Sequence, residues 1–478
     1  MTDVDLCFFD AVELARLIKR REVSVREVVA AHLARIESVN PKVNAFVTQV
    51  DPEIVMACAS AADGKLARGE ACGALHGLVI AHKDLQDTAG IRTTYGSPLF
   101  ADHMPARDSL LVERVKQAGA IVAGKTTTPE FGAGSQTFSP VFGRTLNPYD
   151  LTKTCGGSTG GGAVALACGM TSLADGSDMG GSLRNPASFC NVVGLRPSAG
   201  RVPKCPADLA WSTLSVDGPM ARTVKDLALF LSVIAGPDGR SPISLDESGS
   251  MFAARLDRDF NGVRVAWFKG LNGLPFDREV RGLVDLHRST FEALGCVVEE
   301  AEPDFTGADE VFKTLRAMSF ESLLSGRLAL KPERLKATIG QEIERGRALT
   351  GPEITRALRR QTDLYHRIRA FMETYDFFIL PVSQVPPFGL TQEYVTEIEG
   401  VAMNSYIDWM RSCYYISVLG NPALSVPCGF TAGGLPVGLQ IVGRHKDDFG
   451  VLQLGHAFEM ATGYGKRRPA IIGPAIIV

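Results

Sequence analysis

The chain has 478 residues, 45% of them hydrophobic and 22% charged, with a formal net charge of −3. This is the composition of a globular protein with ample material for a large core, and the near-neutral balance excludes an electrostatic case for nucleic-acid or membrane partners. The acidic start, Met1-Thr-Asp-Val-Asp5, is unlike a signal peptide, and no apolar run is long enough to span a bilayer. Ten cysteines without a Cys-x-x-Cys pair, several in apolar settings such as Cys168, read as reduced core thiols of a cytosolic protein.

In chain order, Ser24 to Glu27 fits a capping box, and Val25, Val28, Val29, Leu33 and Ile36 give one apolar helix face that ends near Asn40-Pro41. Apolar runs of strand length follow at 44–50, 78–81, 120–123, 263–268, 296–298, 377–380, 424–426 and 439–442. Helical patterns separate most of them, as at 109–117, 224–234 and 448–460. Short buried strands alternating with helices predict an α/β fold with a sheet covered on both faces. Residues 312–375 carry almost no strand signal but many helix formers and charges, so they read either as a solvated helical face or as a cap over a substrate entrance. With no repeat and no linker, residues 1–478 read as one domain. The apolar end, Ala470 to Val478, is expected to pack back on the body or on a second subunit, which leaves a homodimer open.

Two motifs match a pattern but lack its context. Gly119 to Thr126 has phosphate-loop spacing, yet Ile121-Val-Ala123 is itself strand-like and no glycine lies where the loop must curl. Gly156-Gly-Ser158-Thr-Gly160 has the spacing of a nucleophile elbow, but Asn147 to Thr154 reads as a turn and loop rather than the required buried strand. No downstream histidine (His287, His366, His445, His456) has a distinguishing setting, and the eight histidines include no His-Glu-x-x-His, so no metal is expected. His82 and His32 read as packed histidines.

What remains is a pair of serines, Ser158 and Ser182, in separate glycine-rich turns, and Lys83 at the end of an apolar strand. Glycines leave peptide N–H groups bare beside a hydroxyl, as a nucleophile and an oxyanion pocket require. A buried lysine loses affinity for its proton and can serve as a base for serine.

These residues carry a resemblance to the amidase signature family, hydrolases of carbon–nitrogen bonds with a Ser–Ser–Lys triad. Gly156 to Gly161 resembles the family's Gly-Gly-Ser-Ser-Gly-Gly, with Thr159 for the second serine, and Gly176 to Pro186 resembles Gly-Thr-Asp-Thr-Gly-Gly-Ser-Ile-Arg-x-Pro. The likeness continues through Val193 to Pro197, Gly218 to Thr223, Asn421 to Pro427 and Gly434 to Gln440. It implies a large mixed central β-sheet covered by helices, no cofactor, Ser182 as the acylated nucleophile, Ser158 as the bridging serine after a cis Gly157–Ser158 bond, and Lys83 as the base. It further implies oxyanion donors at the N–H groups of Met179, Gly180, Gly181 and Ser182, support from Thr159, Asp178 and Arg184, and substrate contacts at Phe131, Gly132, Ser135 and Gln136.

Within the family, a stand-alone hydrolase of small amides, extending to aryl amides, carbamates or esters, is the main expectation. The alternative is the A subunit of a tRNA-dependent glutamine amidotransferase. That subunit usually reads Lys-Thr-Asn-Met-Asp-Glu-Phe and Ser-Leu-Asp-Gln-Ile-Gly-Pro, whereas this chain has Lys125-Thr-Thr-Thr-Pro-Glu-Phe131 and Leu214-Ser-Val-Asp-Gly-Pro219.

Overall fold

The computed structural model describes residues 5–328 and 335–473. Its centre is an eleven-stranded mixed sheet. In chain order the strands are β1 (Phe46–Gln49), β2 (Val79–Lys83), β3 (Ile121–Thr126), β4 (Leu173–Asp178), β5 (Val193–Arg196), β6 (Val216–Ala221), β7 (Arg264–Trp267), β8 (Val297–Glu300), β9 (Phe377–Pro381), β10 (Ala423–Phe430) and β11 (Pro436–Gly443). The spatial order is β1-β3-β2-β4-β6-β5-β10-β11-β9-β7-β8. The β3-β2-β4 and β9-β7-β8 neighbours run parallel and the other pairs antiparallel. Every residue of β2, β9 and β11 is buried, so both faces of the sheet are covered there.

The expected helices form at Leu110–Gln117, Val224–Ile234 and Asp448–Thr462. The first long helix, Val25–Val43, opens on the capping box at Ser24 and Glu27. It runs past Pro41 and stops at Asn44, whose backbone turns left-handed at φ 53°. Asn40 makes this exit stable: its side chain accepts the N–H groups of Ala45 and Phe46.

The strand expectation missed β4, β5 and β6, which occupy neighbouring positions in mid-sheet. Leu173-Ala-Asp-Gly-Ser-Asp178 and Val216-Asp-Gly-Pro-Met-Ala221 look like turns because Gly, Pro and Asp are poor strand formers. Tertiary partners override that preference: Asp175 binds His82, Asp178 binds Arg184 and Arg196, and Asp217 pairs with Lys204. Asn147 to Thr154 also differs from expectation, since Leu146–Asn147 and Asp150–Thr154 form a small hairpin outside the main sheet. The Gly124-Lys125-Thr126 of the phosphate-loop pattern lies inside β3, so no such loop exists.

Within 312–375 the described residues fall mostly in three helices, Ala308–Leu328, Ala337–Ala348 and Gly351–Thr374, while 329–334 lie outside the described residues. At the C-terminal end, Ile471 and Ile472 pack on the main core, while 474–478 lie outside the described residues. No described helix is long and apolar enough to cross a membrane. All ten cysteines are unpaired, seven of them buried.

Candidate active site

Lys83 ends β2 with its side chain fully buried. Its Nζ donates to three hydroxyls: Ser158 Oγ at 2.8 Å, Thr159 Oγ1 at 3.0 Å and Ser177 Oγ at 3.1 Å. Burial pushes the ammonium's pKa down to about 7, against the upward pull of Asp217, Asp175 and Asp178. The neighbouring His82 is occupied elsewhere, with Nδ1 2.6 Å from Asp175 Oδ1. His32 is likewise buried, its Nδ1 3.1 Å from the Gly169 carbonyl. Both are packed histidines, as expected.

Ser158 follows a cis Gly157–Ser158 peptide bond and is 2% exposed. Its loop is held by side chains from the segment after β3. Ser135 Oγ donates to the Gly157 carbonyl at 2.7 Å, and Thr137 Oγ1 donates to the Gly156 carbonyl at 2.8 Å. The chain then enters the buried Gly160–Ala167 helix, which packs on β2, β3, β4 and β6. A Cβ on Gly161 would stand 2.3 Å from Thr127 N, so only glycine lets this helix approach β3 closely enough to aim Ser158 at Lys83.

Ser182 sits at the end of the Asp178-Met-Gly-Gly-Ser182 turn that follows β4, half-buried and facing the cavity. Thr159 N–H donates to its carbonyl at 3.2 Å, tying the two glycine turns together. Asp178 anchors the second turn. It accepts from the N–H groups of Gly181 (3.0 Å) and Leu183 (3.1 Å), and from Arg184 Nε (3.0 Å), Arg184 Nη2 (2.8 Å) and Arg196 Nη1 (3.2 Å). Burial alone would raise this carboxyl's pKa, but the two guanidiniums hold it well below the usual carboxylate range. Arg184 also reaches Gln440 Oε1 at 2.6 Å and Ser417 Oγ at 2.8 Å, so the turn is bolted to β11 and the Arg411–Ser417 helix. Such charge-assisted contacts fix geometry as well as adding energy. Gly181 takes φ 119°, and a Cβ there would meet Asn185 and Cys413 at 2.7 Å.

Ser158, Ser177, Met179, Gly180 and Ser182 open on a cavity of about 350 Å³. Among the described residues, the N–H groups of Met179, Gly180 and Ser182 have no internal acceptor. The Gly181 N–H is committed to Asp178, which corrects its expected place among the oxyanion donors. Of the four residues expected to contact substrate, Phe131 and Gly132 line the cavity. Ser135 and Gln136 do not: both are buried, Ser135 on the Gly157 carbonyl and Gln136 through Nε2 on the Leu390 carbonyl at 2.9 Å. Their hydrogen bonds face the protein rather than a ligand. Thr159 touches Lys83 directly, which is closer than a supporting position implies.

Sequence reasoning overlooked Ser177, the third hydroxyl on Lys83, and Arg196, the second guanidinium on Asp178. Ser177 was hidden because β4 itself was unrecognised. Arg196 carried a faint signal, a lone charge in the apolar stretch Val192-Val-Gly-Leu-Arg196. Among the described residues no group of His, Cys, Asp or Glu side chains could hold a metal ion.

Comparison with known proteins points the same way as this geometry. Residues 27–452 match the family described as Amidase. An acylamidase of Rhodococcus erythropolis is 34% identical over 476 residues, covering 98% of this chain and 99% of that protein. The A subunit of the glutamyl-tRNA(Gln) amidotransferase of Carboxydothermus hydrogenoformans is 33% identical, covering 98% and 100%. The crystal structure of a bacterial aryl acylamidase of the amidase signature family superimposes with a TM-score of 0.91 at 26% identity, covering 98% and 99%. A mixed α/β sheet with these relatives defines the class, an enzyme that hydrolyses amide carbon–nitrogen bonds. The chain belongs to the amidase signature family.

Proposed function

We propose that this chain is a stand-alone amide hydrolase in which Ser182 is the nucleophile, Ser158 the relay and Lys83 the base, working through an acyl-enzyme. One observation carries the reading: a fully buried Lys83 Nζ lies 2.8 Å from Ser158 Oγ. A lysine poised near neutrality is a competent base, and one hydroxyl can pass its proton demand to a second. In acylation Lys83 Nζ takes the Ser158 proton, Ser158 Oγ takes that of Ser182, and Ser182 Oγ attacks the carbonyl carbon. The N–H groups of Met179, Gly180 and Ser182 supply the oxyanion donors, each such donor contributing roughly 3–4 kcal/mol. The proton returns through Ser158 to the leaving nitrogen as the C–N bond breaks. Water then releases the acid by the same relay.

The Ala308–Leu328 helix lays Phe312, Phe320, Leu323 and Leu324 along the cavity, where Phe131 packs against the same apolar cluster as Phe320 and Leu324. We read it, with the two helices that follow, as a cap that selects apolar or aryl amides, with esters and carbamates sharing the same acyl transfer. The names of the relatives, acylamidase and aryl acylamidase, support that substrate class. Ten unpaired cysteines support a reducing, cytoplasmic setting.

A second reading, the A subunit of a glutamine amidotransferase, has the full-length likeness to such proteins in its favour. One experiment separates the two: a panel of anilides, aliphatic amides, carbamates, esters and glutamine, run on wild type and Ser182→Ala. The main reading expects anilide hydrolysis that disappears in Ser182→Ala. Turnover surviving in that variant refutes it, and glutamine hydrolysis that needs a co-purifying partner protein establishes the alternative.

A further inference from the structure

Charge reaches Lys83 from three surrounding segments: Asp175 and Asp178 on β4, Asp217 on β6, and Lys204 on the loop between β5 and β6. Two of the three carboxylates are already engaged in the interior. Asp175 holds His82 and the Lys83 N–H, and Asp178 is gripped by Arg184 and Arg196. Asp217 differs. It pairs with Ser177 in the antiparallel β4–β6 register, so the two side chains are neighbours on one face, and Ser177 Oγ accepts from Lys83 Nζ. Asp217 is 4% exposed, yet it lines the same cavity as Ser158 and Ser182. Among the described residues its ionic partner is Lys204, at 3.2 Å, whose side chain is 34% exposed.

A counterion that reaches water is strongly solvated, whereas a buried carboxylate keeps its field inside the site. Asp217 therefore acts on Lys83 more than its pairing suggests. We propose that Asp217, with Lys204 as its counterion, is a positioning residue for acylation, stabilising the ammonium that Lys83 becomes when it takes the Ser158 proton. The inference rests on Lys83 being the base. No bond to Asp217 forms: the proton moves from Ser182 Oγ to Ser158 Oγ and from Ser158 Oγ to Lys83 Nζ, while Asp217 stays a carboxylate. The titration of Lys83 agrees in sign, since Asp217 is the leading charge that opposes burial and Lys204 counteracts it.

The test is the pH dependence of Ser182 modification by phenylmethylsulfonyl fluoride, a reagent that needs the base but few substrate contacts. Wild type should show a rising limb near pH 7. Asp217→Asn should move that limb down by about one pH unit and lower the plateau several-fold, because the base is weaker. Lys204→Met should move it up, and Asp217→Glu should return it toward wild type. A residue that merely supports the fold would lower the amplitude without moving the limb. Limbs that stay in place, or that move in the same direction in Asp217→Asn and Lys204→Met, overturn the proposal. If Asp217→Asn does not fold, Lys204→Met decides: an upward shift supports the inference and an unmoved limb ends it. A limb that persists in Lys83→Met removes the assignment of the base instead, so the two failures are distinct.

Discussion

Lys83 and Lys125 are both fully buried at the ends of adjacent parallel strands, yet they are built for different ends. Lys83 Nζ meets three hydroxyls, and two of them, Ser158 and Ser177, line the cavity that holds Ser182. Lys125 Nζ donates to the Gln86 carbonyl and, at 2.9 Å, to Thr88 Oγ1, with Asp84 and Asp87 nearby. Burial brings both ammonium groups down, to about 7 and about 8. Depressed proton affinity is therefore not what separates them. Lys83's hydroxyls at Ser158 and Ser177 reach the cavity, whereas the Thr88 hydroxyl on Lys125 is buried and already donates to the Gln86 carbonyl at 3.1 Å, and a carbonyl has no proton to give. Lys125 ties the segment after β2 to β3, whereas Lys83 is the one proposed to act as a base.

Substitutions should break this comparison asymmetrically. The largest effect is expected for Lys83→Met, which should slow acylation by roughly a thousandfold while leaving the fold intact. Single-turnover rates with an activated ester measure it, and a loss of only a few-fold would mean that another base operates. Lys125→Met should do the reverse. It strips the donor from Gln86 O and Thr88 Oγ1, which should destabilise the protein by about 2–3 kcal/mol in denaturant titration, with turnover per folded molecule close to wild type. A thousandfold loss there would dissolve the distinction.

The pH dependence sharpens the contrast further. Protonated Lys83 cannot accept the Ser158 proton, so kcat/KM should rise about tenfold per pH unit below a midpoint near pH 7 and level off above it. Stability should respond in the same sense. The folded chain holds this proton more weakly than the ordinary 10.5, so the unfolded state binds more protons between about 7 and 10.5. The handicap of burying a charged lysine is full below about pH 7 and fades as pH rises toward 10.5, and Lys83→Met should flatten that part of the profile. The smallest effect is expected for Thr159→Val, which removes one of three acceptors from Lys83 and should lower kcat/KM about fivefold. No change at all would show that Ser158 and Ser177 hold the lysine by themselves.

The sequence made Lys83, Ser158 and Ser182 readable because their signals are local: an apolar strand that ends in lysine, and two turns whose glycines expose backbone N–H groups. The helices at 109–117 and 224–234 were readable for the same reason, their apolar spacing being complete within the segment. Mid-sheet strands were not. Asp175, Asp178 and Asp217 look like turn residues until His82, Arg184, Arg196 and Lys204 arrive from elsewhere in the chain to pair with them. Ser177 was lost with β4. Ser135 sat in a segment that the family resemblance assigns to substrate, but the direction of its hydroxyl, toward Gly157 rather than the cavity, is a property of the folded loop alone. The commitment of Gly181 N–H to Asp178 is legible only in three dimensions as well.

The most direct measurement is mass spectrometry of the enzyme quenched during turnover of a slowly released p-nitrophenyl ester or carbamate, followed by peptide mapping. An acyl group is expected on Ser182 in wild type, its build-up strongly retarded in Lys83→Met and absent in Ser182→Ala. An acyl group found on Ser158, or rapid build-up on Ser182 without Lys83, would contradict that expectation.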